Sequence, residues 1–196
     1  MASKSLNNDH HLNIIYENIL QSLPAHMDLR YFAVSILNNK GCRVEIPHTG
    51  VSLIIPEDAV LLEEDHLIYV ALISIENQMP PLVSGQTRLS PVILIGPGDI
   101  TLLKPAVLCF EHTAALDSSW NFHLMFSEDV TDWTTILTSG QENISTPVYL
   151  QFYQDQQAMI LVRRFLILLE FISKKKKIEN FFVFHRFSLK RWAPTL

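Results

Sequence analysis

Between Gly41 and Val60 the chain spells two short strands around a forced turn, and few folds accept that pattern. Val44 and Ile46 alternate with Arg43 and Glu45; past Gly50, Val51, Leu53 and Ile55 alternate with Ser52 and Ile54. A period of two marks strands with one face in a core. Thr49-Gly50 supplies the turn, because glycine takes positive φ without a steric penalty. Pro47 and Pro56 carry no amide donor and mark strand ends or an edge.

The same vocabulary continues downstream. Residues 31–37 form a strand that leads into the turn cluster Asn38-Asn39-Lys40-Gly41. Residues 67–75 are apolar and β-rich without alternation, as in a sheet interior. Runs at 89–95 and 102–111 flank Gly96-Pro97-Gly98, a hairpin-like corner. A phosphate cradle would need more glycines, a lysine and a following helix. Trp120, Phe122, Leu124 and Phe126 alternate with Asn121, His123 and Met125, Trp133 opens a second such run, and residues 146–152 make another strand. Short strands with turn signals every ~8–12 residues predict a two-sheet, all-β sandwich.

Both ends differ in character. Residues 1–30 read as a flexible lead-in with one short helix, in which Leu12, Ile15, Tyr16, Ile19 and Leu20 follow i, i+3, i+4, i+7, i+8 spacing. Residues 1–162 hold 6 Lys+Arg against 18 Asp+Glu, a balance of −12, whereas 163–196 hold 9 against 2, a balance of +7. That break divides a domain at 31–161 from a basic tail at 162–196. Residues 156–172, apolar on most sides and long enough, are expected to be helical. Lys174–Lys177 reads as a solvated end rather than a lipid or nucleic-acid site. Cys42 and Cys109 are expected free and buried. Neither a signal-peptide core nor an apolar run near the ~20 residues of a membrane span is visible, so the expected location is cytoplasmic.

The stretch Gly41-x-Arg43-Val44-x-Ile46-Pro47-x-x-Gly50-Val51-Ser52-Leu53-x-Ile55-Pro56-x-x-Ala59-Val60 resembles the opening of a ZU-five domain, found in zonula-occludens scaffolds, ankyrins and UNC-five netrin receptors. Leu89-Ser90-Pro91, Gly96-Pro97, residues 104–108 and Thr146-Pro147-Val148-Tyr149 match further landmarks in order, with the receptor branch most similar. The resemblance covers about residues 41–161 and implies a ZU-five β-sandwich. It also implies UPA and death domains as partners, in the cytoplasmic part of a single-pass plasma-membrane receptor for axon guidance and ligand-dependent survival. The family's final strand is not recognisable after residue 161, so it is expected to be absent or replaced by the divergent tail, and an absent strand would leave an edge open.

Chemistry is not apparent. The eight histidines are scattered without ligand spacing, and no nucleophile–base–acid arrangement can be read. Certain ZU-five domains cleave themselves at His-Phe-Ser; here His185-Arg186-Phe187-Ser188 places an arginine inside that step. No catalytic residue, metal or cofactor is therefore expected. The candidate partner-binding residues are the exposed loops Glu63, Glu64, Asp65 and Leu116, Asp117, Ser118, Ser119, together with the open edge. The expected function is a non-enzymatic protein-interaction module. The alternatives are an ankyrin-like or junction-scaffold module binding the cytoskeleton, disfavoured by the acidic balance, and a chain held to membrane or nucleic acid by its tail. Nucleic acid is not expected as a partner, because interleaved aromatic and basic strand residues are missing.

Overall fold

The computed structural model describes residues 2–24, 27–61, 65–74, 79–98, 100–113, 120–129, 131–139, 149–153, 156–164 and 167–175. A helix, α1 (Ala2–Ser22), precedes a short 3-10 turn at Leu29–Tyr31. Then come β1 (Phe32–Leu37), β2 (Cys42–Ile46), β3 (Val51–Ile55), β4 (His66–Ile73), β5 (Gln86–Arg88) and β6 (Val92–Gly96). The remainder is β7 (Thr101–Glu111), β8 (Trp120–Ser127), β9 (Thr134–Thr138), β10 (Tyr149–Phe152), β11 (Gln157–Arg164) and β12 (Ile167–Lys175).

The strands make two antiparallel sheets, as an all-β sandwich requires. One has seven strands, ordered β1-β4-β6-β12-β8-β9 with β5 also paired to β12; the other has five, ordered β10-β11-β7-β3-β2. The opening hairpin is where the sequence puts it, with Ile46 opposite Val51 and Cys42 opposite Ile55. Gly50 sits at φ 68, and the Thr49 hydroxyl donates to the Ile46 carbonyl at 2.7 Å while accepting from the Val51 amide at 3.2 Å. Val44, Ile46, Leu53, Ile68, Val70, Ile95, Leu108, Phe110, Leu124 and Ile160 fill the space between the sheets. Burying such side chains is the main force holding the sheets together.

Four expectations need correction. The predicted helix over 156–172 is two strands: β11 lies between β7 and β10, and β12 crosses to the other sheet. The final strand is therefore replaced rather than absent, and the expected open edge is filled. β12 fills the middle of the seven-stranded sheet, pairing with β8 along its length on one side and with β5 and β6 on the other. The sandwich thus runs past residue 161 to Lys175. Pro91, which has no amide to donate, explains why β5 and β6 are two short strands along one side of β12.

The Gly96–Gly98 corner is not a hairpin, since β6 and β7 belong to different sheets and the chain changes layer there. The N-terminal segment is not loose either. Ile19 is buried, with Leu12, Ile15, Tyr16 and Leu23 packed beside it on Leu67, Tyr69, Ala71, Ile73, Val92 and Leu94. α1 thereby covers the outer side of β4 and β6. That explains why β4 is apolar throughout: Ile68, Val70 and Leu72 face the core, and Leu67, Tyr69, Ala71 and Ile73 face the helix.

Candidate interaction surfaces

The loops singled out from sequence contribute little that can be placed. Glu63, Glu64, Leu116, Asp117, Ser118 and Ser119 lie outside the described residues. Asp65 is half-buried, and its carboxylate accepts from the Asn38 side-chain amide at 3.0 Å, which ties the start of β4 to the β1–β2 turn. The expected open edge is occupied by β12. The tail motif around Ser188 and Lys176–Lys177 also fall outside the described residues.

Two surface features emerge that the sequence reading did not find. The first is a cleft of about 400 Å³ at one end of the sandwich, where the β2–β3 turn, the C-terminal end of β7, the β5–β6 link and the β10–β11 turn converge. Arg88, Ser90, Glu111, Thr113 and Gln156 give it a polar lining around His112. The Arg88 guanidinium donates to the Pro80 carbonyl at 2.7 Å, and the Thr113 amide donates to the Leu89 carbonyl at 2.9 Å. His112 is 2 % exposed, stands edge-on to Phe152 at 5.4 Å, and donates its backbone amide to the Gln156 carbonyl at 2.8 Å. Burial pushes its imidazole pKa down, which favours the neutral ring. The Thr113–Leu89 bond ties the end of β7 to the β5–β6 link and so joins the two sheets at this end.

The second feature is the outer face of the five-stranded sheet. The pairing registers put Tyr149 opposite Leu161, Leu161 opposite Val107, Val107 opposite Ile54, and Ile54 opposite Arg43. Directly opposite residues point to the same side, so four apolar side chains form one row across four strands. Tyr149 is 57 % exposed at the free end of the row, and Ile54, Val107 and Leu161 are half-buried. The next row runs Gln151, Met159, Cys109, Ser52, Glu45. An Arg43–Glu45 ion pair at 2.8 Å closes the far margin. Among the described elements none crosses this face, whereas α1 covers the corresponding face of the other sheet.

Both thiols are free, but they are half-buried rather than buried as expected. Cys42 and Cys109 sit on β2 and β7 with β3 between them. Two inter-strand spacings, ~9.5 Å, exceed what a disulfide spans. Burial alone raises the Cys42 thiol to about 11. Among the described residues no cluster of three or more His, Cys, Asp or Glu is placed to hold a metal, and no helix is long and apolar enough to cross a membrane.

Among the described elements, the surface on offer is a partly apolar sheet face that no other element crosses, a feature suited to docking another protein. The family comparison agrees: a ZU5 domain is found at residues 33–128, from β1 to the end of β8. ZU5 domains are protein-interaction domains, typically intracellular, and are not a known enzyme family. α1 and strands β9–β12 lie outside the matched span, although β12 pairs with strands inside it.

Proposed function

We propose that this chain is a cytoplasmic interaction module of the netrin-receptor type, which docks a UPA domain on the outer face of its five-stranded sheet. The observation that carries the reading is the row Tyr149–Leu161–Val107–Ile54, apolar along its middle and bounded by Gln151, Gln157 and the Arg43–Glu45 pair. An apolar centre with a polar rim is the make-up of protein interfaces, and exposed tyrosine is enriched at their hot spots. Support for the receptor branch comes from sequence alone. Gly50-Val51-Ser52-Leu53, Leu89-Ser90-Pro91 and Thr146-Pro147-Val148-Tyr149 resemble the UNC-five receptors, and Tyr149 is at once a landmark of that resemblance and the exposed end of the row.

In this role the module works by recognition, without a chemical step. Its docking would link the chain to UPA and death domains in guidance and survival signalling. The acidic loop Glu63–Asp65 and the loop Leu116–Ser119 are proposed as accessory contacts. The test is a calorimetric titration of the full chain with a purified UPA–death-domain pair from such a receptor. Tyr149→Ala, which removes an exposed side chain without touching the core, is expected to weaken binding about tenfold. Alanine substitutions in the two loops should have smaller effects. Unchanged affinity for both Tyr149→Ala and Leu161→Asp overturns the assignment of the face, and no binding by the wild-type chain overturns the receptor reading.

A further inference from the structure

We infer that a segment of the chain's own tail, residues 178–192, lies across the outer face of the five-stranded sheet and holds it against a partner. The inference rests on that face as a docking surface, whichever protein it serves, and adds how the surface is regulated. Past Lys175 the sequence lies outside the described residues, and its composition differs from that of the body. Residues 181–192 carry Phe181, Phe182, Phe184, Phe187 and Trp192 together with Arg186, Lys190 and Arg191, and no carboxylate. That much aromatic surface left in water is an aggregation hazard, so the segment calls for an apolar face to rest on.

Two properties of the sheet face match the segment. Its middle is the apolar row Tyr149–Leu161–Val107–Ile54. Its margin is acidic where β7 ends: Glu111 points to the same side as Val107 and Cys109, is exposed, and has no ion pair among the described residues. Residues 176–196 hold 5 Lys+Arg against 1 Glu, a balance of +4, which leaves −9 on residues 1–175. Tail and body therefore attract, whereas a second copy of the chain, at −5, is repelled.

The tail also starts within reach of this margin. Ile172 and Lys174 on β12 lie opposite Arg88 and Gln86 on β5, and the Leu89 carbonyl accepts from the Thr113 amide, two residues past Glu111. Across these pairings Lys175 and Glu111 are within about 30 Å, a span that residues 176–184 cover at about 3.3 Å each when extended. Residues 185–192 then suffice to cross the five strands, whose four gaps are about 4.8 Å each. A tethered segment acts at an effective concentration on the order of millimolar, so modest contacts keep the face occupied. A partner then binds with its intrinsic affinity reduced by the fraction of chains in which the tail is lifted.

The two cysteines of the full chain supply the test. Cys109 lies on this face between Met159 and Ser52, whereas Cys42 packs against the core and serves as the internal control. The wild-type chain and a Phe184→Asp/Phe187→Asp variant are treated with iodoacetamide, and labelling at each cysteine is followed by peptide mass spectrometry. The variant should label Cys109 about tenfold faster, roughly what the burial of one phenylalanine side chain confers, with Cys42 unchanged. Arg186→Glu/Arg191→Glu, which keeps every aromatic, should give a smaller rise that vanishes at high salt, where the wild-type tail loosens too. Equal Cys109 rates in the wild type and both variants, or a Cys42 rate that rises in step with Cys109, overturn the proposal. Equal Cys109 rates with wild-type chain, but not the variants, pelleting on phosphatidylserine vesicles assign the tail to a membrane surface and overturn it as well. The assay contains no partner, so its outcome is independent of whether a UPA–death-domain pair binds.

Discussion

The placement of β12 can be tested at one side chain. Ile172 is 1 % exposed and lies opposite His123 on β8 and Arg88 on β5. Cross-strand partners share a side, and the core residues Phe122 and Leu124 flank His123 with the opposite orientation. Ile172 is therefore packed on the outer side of the sheet. Ile172→Ala removes buried methyl and methylene groups and leaves a cavity, a loss of about 2–5 kcal/mol. With a urea slope of about 2–3 kcal/mol/M for a chain of this size, the midpoint should fall by roughly 1–2 M. Leu61→Ala is the matched control: Leu61 is 85 % exposed, so its truncation should change stability by less than about 0.5 kcal/mol. Both variants are followed by circular dichroism against the wild-type chain. A chain ending at Arg164, which loses all of β12 and bares the edges of β6 and β8, should show no cooperative transition at all. Midpoints for Ile172→Ala and wild type that coincide, or a cooperative melt of the shortened chain, would refute the central position of the strand.

Further outcomes follow from single groups. Gly41→Ala and Gly50→Ala both force alanine to positive φ, at φ 74 and φ 68, a strain of about 1–2 kcal/mol each. A Cβ at Gly41 also meets the fixed Ile55 and Pro56 carbonyls, whereas at Gly50 it meets the Glu111 side chain. Gly41→Ala should therefore be the more damaging in a urea melt, and Glu111→Ala should rescue part of the loss in Gly50→Ala but none in Gly41→Ala. The Asp129 carboxylate accepts from the Thr131 and Asp132 amides at 2.9 and 3.1 Å, which lowers its pKa to about 2. A depressed folded-state pKa gives stability that is full above ~4, the unfolded value, and lost as pH falls toward 2. Asp129→Asn should flatten that part of the stability-versus-pH curve. Cys42, half-buried and with its thiol raised to about 11, should react slowly with iodoacetamide at pH 8 until the chain is unfolded; rapid labelling of native protein at Cys42 would contradict the raised pKa.

The sequence was most readable where one strand face meets the core and the other meets water. The alternation through Val44, Ile46, Val51, Leu53 and Ile55, and again at Phe122 and Leu124, located the strands and their buried sides. It misled where alternation is absent. β11 and β12 are separated by only residues 165–166, so two apolar strands fuse into one helix-length run, interrupted only by Arg163-Arg164 and Glu170. The docking of α1 did leave a signal: β4 is apolar on both faces, which demands a second cover, and the stripe Leu12–Ile19 is the element that provides it. The surface row had no linear signature, because residues 54, 107, 149 and 161 come together only through three strand registers. The cleft around His112 likewise needs four separate chain segments.

The order of the strands also governs how the chain is made. Ser127 ends β8, and Lys175 ends β12, 48 residues later. At about 5–20 residues per second, a ribosome needs about 2–10 s to cover that interval. Throughout it, β6 and β8 each have a finished strand edge waiting for a neighbour not yet synthesised. The β6 run Val92-Ile93-Leu94-Ile95 is uncharged and β-prone, the kind of segment that recruits other nascent chains. α1 is made before that run and, in the folded chain, packs in the same apolar cluster as Val92 and Leu94.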